Sequence, residues 1–82
     1  MITVAETEPF QKKVNQLLSD GEKSDLIAYL SDNPLNGVLI QNTGGIRKLR
    51  WARSSGGESG GVRVIYYVHS DMMPLYLLTI FG

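Results

Sequence analysis

The sequence predicts an α+β domain: a short N-terminal strand, a two-helix hairpin, then a sheet of three or four antiparallel strands with the helices on one face. Three observations carry this reading. Between residues 8 and 33 apolar side chains recur at helical spacing. From Gly37 onward eight of the nine glycines appear, with β-branched and aromatic residues in short runs between them, so strands replace helices there. The connections between those runs are short, which favours an antiparallel meander. At 82 residues the chain forms one domain, residues 1–82, with a single modest core.

Ile2 and Val4 flank Thr3 in the alternation of a first strand. Thr7, Glu8 and Pro9 then supply an N-cap, an acid for the helix dipole and a proline suited to the first turn. Phe10, Val14, Leu17 and Leu18 follow at i, i+4, i+7 and i+8, which gives that helix one buried stripe and leaves Gln11, Lys12, Asn15 and Gln16 to water. Ser19 with Glu22 three residues later is a capping-box pattern, so one helix closes and the next opens within a few residues. Leu26, Ile27 and Leu30 form the second stripe, and Pro34 ends the helical half near residue 33.

Residues 38–40, 46–52, 62–68 and 75–81 read as strands, with turns at 42–45, 54–61 and 70–74. The stretch 54–61 has the Ser, Gly and Glu composition of a flexible hairpin tip. It lacks the Lys-Ser/Thr ending and following helix of a phosphate-binding P-loop.

With no cysteine and one histidine, the chain has neither a disulfide framework nor a thiolate or His-rich metal site, and no cofactor is implied. It has no export signal and no apolar run near the ~20 residues that span a bilayer, so a cytoplasmic, membrane-free protein is expected. The net charge is zero, which taken alone argues against a nucleic-acid partner. The total conceals a split: residues 1–35 hold three lysines and six acids, net −3, whereas residues 36–82 hold five Lys or Arg and two acids, net +3.

Those five cations are Arg47, Lys48, Arg50, Arg53 and Arg63. Side chains alternate along a strand, so with Leu49 and Trp51 turned to the helices, Lys48 and Arg50 project together from the other face. In the next strand Val64 belongs with the core and Arg63, Ile65 and Tyr67 with the open face. Lys48, Arg50 and Arg63 then converge, with no acid within their strands to neutralise them. Such a patch suits phosphate, since arginine forks engage phosphate oxygens in pairs. An open sheet bearing Tyr67 suits single-stranded RNA better than duplex DNA. A solvated strand face is the bland reading of the same residues. His69 reads as a solvated turn residue, Trp51 as core or core edge, and Met72 and Met73 as a hairpin tip.

The segments Gly44-Gly45-Ile46-Arg47-Lys48-Leu49-Arg50, Gly61-Val62-Arg63-Val64-Ile65-Tyr66-Tyr67 and Leu77-Leu78-Thr79-Ile80-Phe81-Gly82 resemble the RelE/HigB toxins of bacterial toxin–antitoxin modules. The resemblance covers residues 44–82. It implies a RelE-like fold and a ribosome-dependent mRNA interferase, an endoribonuclease that enters the ribosomal A site, cuts the messenger and arrests growth. It assigns Lys48, Arg50 and Arg63 to catalysis by 2′-hydroxyl transesterification: Lys48 assists loss of the 2′-proton and Arg63 stabilises the phosphorane. Arg50 is a second phosphate clamp or the leaving-group acid. Arg47, Arg53 and Tyr67 are expected to contact RNA or the ribosome.

The implied partners are a cognate antitoxin of helix–turn–helix type, the ribosome and the messenger. Family members continue past the last strand with a basic, helical tail that completes the active site, and the 82 residues stop at Gly82, so impaired activity and exposed apolar surface favouring dimerisation or partner binding are expected. The rival reading is a non-catalytic binding module, either a truncated toxin that titrates antitoxin or a ParE-like gyrase inhibitor.

Overall fold

The computed structural model describes residues 1–52 and 61–82. The expected Ser54 to Gly60 part of the turn, and Arg53, lie outside the described residues. The elements run β1 (Val4–Glu6), α1 (Glu8–Leu17), α2 (Asp20–Asp32), β2 (Val38–Leu39), β3 (Ile46–Trp51), β4 (Val62–Tyr67) and β5 (Leu75–Phe81). Among the described residues no helix is long and apolar enough to cross a membrane.

The α+β class holds, and the sheet differs from the expected one in strand number and order. It is a five-stranded mixed sheet in the order β1-β5-β4-β3-β2. The strands from β2 to β5 form the anticipated antiparallel meander, and β1 adds itself to the far edge, parallel to β5. Residues 4–6, not 2–4, make that strand, because Ile2 is held elsewhere. Its N–H donates to the Ser31 carbonyl at 2.9 Å, and the Ser31 hydroxyl donates back to the Ile2 carbonyl at 2.7 Å, which ties the N-terminus to α2.

Both helices cover one face. Phe10, Val14 and Leu18 from the first helical segment and Leu26 and Leu30 from α2 are buried against Val62, Val64, Tyr66, Leu75, Leu77 and Ile80 of the sheet. Leu49 and Trp51 pack on the margin of this core, with the Trp51 and Tyr29 rings 5.1 Å apart between centroids. The Ser19–Glu22 capping box is complete: Glu22 N–H donates to the Ser19 hydroxyl at 3.1 Å, and Ser19 N–H to the Glu22 carboxylate at 2.8 Å. Thr7 occupies the N-cap of α1, yet its hydroxyl points to the sheet and donates to the Leu77 and Leu78 carbonyls at 2.7 and 3.2 Å.

Those two carbonyls mark a β-bulge. The register between β4 and β5 steps from Tyr66–Leu77 to Ile65–Thr79, so Leu78 is an added residue and alternation changes phase there. Leu75, Leu77 and Ile80 face the core in consequence, and Tyr76, Thr79 and Phe81 face away from it.

Candidate functional site

The face of the sheet opposite the helices is built rung by rung from cross-strand pairs, whose side chains lie on the same side with Cβ atoms ~5 Å apart. Arg50 stands directly across from Arg63, and Arg63 directly across from Phe81. One rung along, Val38, Lys48, Ile65 and Thr79 are aligned. The next rung holds Ile46, Tyr67, Tyr76 and Ala5. The structure thus brings Lys48, Arg50 and Arg63 together as alternation requires. Lys48 and Arg50 are exposed and Arg63 is half-buried.

Two like charges directly opposite one another destabilise a strand pair. No Asp or Glu occurs anywhere in β2, β3, β4 or β5 to relieve them. The strand acid in β1, Glu6, shares the helix-facing side with its partner Leu77 and pairs with Lys23 of α2 at 2.9 Å. Among the described residues the sheet therefore holds an uncompensated cationic surface, with an aromatic side chain at each end of it: Phe81, 41% exposed, beside the arginine pair, and Tyr67 two rungs away.

Arg47, expected to contact RNA or the ribosome, makes its hydrogen bonds within the protein. It sits on the helix-facing side, half-buried, and its Nη1 donates to the Gly37 carbonyl at 2.8 Å and the Leu35 carbonyl at 3.1 Å. The guanidinium staples the loop after α2 to the sheet. Tyr66 completes the staple from the core: its hydroxyl donates to the Pro34 carbonyl at 2.8 Å and accepts from Gly37 N–H at 2.9 Å. A Cβ at residue 37 would lie 2.7 Å from that hydroxyl, which is why glycine is needed there. Burial raises the Tyr66 phenol above its ordinary pKa, and the Gly37 hydrogen bond and the Arg47 charge oppose this in part.

Tyr67 lies on the open face, as expected. Its ring is within 8° of parallel to that of His69, with centroids 6.4 Å apart. Phe81 is a site residue that alternation conceals, because counting in twos from Leu75 and Leu77 puts it in the core; the bulge at Leu78 turns it outward. Among the described residues no three His, Asp or Glu side chains gather as a metal would require. A cavity of about 360 Å³ lies against α2 beside Met1, on the side of the molecule away from the cations.

What this face can do chemically is hold a phosphodiester at the Lys48–Arg50–Arg63 cluster and offer π-faces to the bases on either side. No family model matches the chain.

Proposed function

We propose that this protein is a ribosome-dependent endoribonuclease of the RelE/HigB toxin kind, which cuts messenger RNA by transesterification at the Lys48–Arg50–Arg63 cluster. The observation that carries the proposal is the register: Arg50 faces Arg63 across the ladder with Lys48 on the adjoining rung of the same open face, and no acid lies in those strands. An anionic ligand relieves the repulsion that the described residues leave in place.

In the mechanism, the scissile phosphate rests on the Arg50 and Arg63 guanidinium groups. Lys48, one rung away, draws off the 2′-proton as the 2′-oxygen attacks phosphorus. Arg63 stabilises the charge gathering on the phosphorane oxygens, the step at which such donors have most effect. The P–O5′ bond breaks with Arg50 hydrogen-bonded to the leaving oxygen, which takes up a proton from solvent as Lys48 returns the 2′-proton to solvent. The products are a 2′,3′-cyclic phosphate on one fragment and a 5′-hydroxyl on the other. Phe81, paired with Arg63, stacks on the base next to the cut.

The partner surface adjoins this face at the edge of the sheet. β2 is an open edge whose neighbourhood exposes Leu35, Val38, Leu39 and Ile40, and an apolar edge strand of this kind is a template for another chain. It supports neutralisation by a bound antitoxin, and equally a second reading in which the protein is a non-catalytic binding module or a gyrase inhibitor. Adding the protein to a cell-free translation mix separates the two. The proposal expects messenger cleavage that requires ribosomes; intact messenger with arrested DNA gyrase favours the second reading.

A further inference from the structure

We propose that Tyr67 and His69 form a stacking site for a second nucleobase, one belonging to a nucleotide neighbouring the one whose phosphate sits at the cations. This rests on the reading of the open face as a single-stranded RNA surface and extends it to a specific subsite. Arg63, Ile65 and Tyr67 alternate onto one face of β4, and His69 continues the row past the end of the strand, its ring parallel to that of Tyr67. The track from Arg63 to Tyr67 is four residues long, ~13 Å at the rise of a strand. A nucleotide clamped by its phosphate at Arg50 and Arg63 places its own base beside Phe81, so the base that reaches Tyr67 comes from further along the same strand.

Two features make the pair a platform. The rings are nearly parallel, 8° apart in plane, with a centroid separation of 6.4 Å, so one base plane can lie parallel to both. His69 is exposed and Tyr67 half-exposed, so the surface is open to a ligand. Stacking of this kind accepts any base, because every base has a π-face, and it adds about tenfold in affinity per base.

His69 is the only histidine in the chain, which makes its ring protons a unique NMR reporter. The test titrates the 82-residue protein at low salt with a single-stranded hexanucleotide carrying 2′-O-methyl riboses, which cannot be cleaved. The His69 ring protons should move upfield and saturate together with the Arg63 and Phe81 amides. An abasic site at one position of the probe should abolish the His69 shift while leaving the amide shifts. Tyr67→Ala should weaken binding about tenfold, and Tyr67→Phe should keep it. The stacking site is overturned if the Arg63 and Phe81 amides respond and His69 does not, or if Tyr67→Ala binds as tightly as the parent. Silence at both places overturns the RNA reading of the face, and the stacking site with it.

Discussion

Arg50 and Arg63 gain nothing from each other, unlike Lys23 and Arg47. Lys23 has Glu6, and Arg47 has two carbonyl oxygens. Replacing Arg63 by Ala should therefore leave the melting temperature unchanged or slightly raised, while messenger cleavage in a translation mix falls by about 10²–10³-fold, the size of losing one donor at a developing oxyanion. Tyr66 behaves in the opposite way. Tyr66→Phe strands Gly37 N–H and the Pro34 carbonyl and should cost about 1–3 kcal/mol in denaturant melts. The pH dependence has a definite sign. The folded phenol has its pKa raised, so its contribution is fully present below the unfolded tyrosine value, about 10, and is lost as pH rises through the folded value. The parent should thus lose stability above about pH 10, and the Phe variant should lack that component. The cationic trio was legible because alternation needs only residue parity. Arg47 was not: the carbonyls that hold it belong to a loop 10 and 12 residues earlier, and nothing local foretells that meeting.

At the scale of elements, local chemistry could be read and long-range pairing could not. The capping box is a four-residue pattern, and Ser19→Ala should cost about 1 kcal/mol by urea unfolding. Gly61, which enters β4, has φ +89°, and a Cβ on it would clash with the Trp51 carbonyl oxygen. Gly61→Ala should destabilise the protein by more than about 1 kcal/mol, because it combines a strained backbone with a clash. The parallel pairing of β1 with β5 joins segments some seventy residues apart and left no mark in the sequence, since three residues of alternation do not specify a neighbour. The bulge at Leu78 was hidden for a related reason. It is stabilised by Thr7, whose hydroxyl reaches the Leu77 and Leu78 carbonyls from the other end of the chain, and it decides that Phe81 stands beside Arg63 instead of in the core.

For the whole molecule, the charge split along the sequence becomes a split in space. Five of the eight acids lie in the two helices, on one side of the sheet, and Lys48, Arg50 and Arg63 lie on the other. Among the described residues the zero total hides two opposed faces, and under the proposed function an RNA strand meets only the cationic one. Binding of a single-stranded probe should weaken with salt with a log–log slope near −2, as expected for about three phosphate contacts, and Lys48→Ala should make the slope shallower by about 0.7. The most direct test of the central claim is the chemistry of the messenger ends produced in a cell-free translation mix by the parent and by Arg63→Ala. The account predicts fragments ending in a 2′,3′-cyclic phosphate and beginning with a 5′-hydroxyl, formed by the parent and not by the variant. Fragments with 5′-phosphates, equal cleavage by both proteins, or an intact messenger with the parent would contradict it.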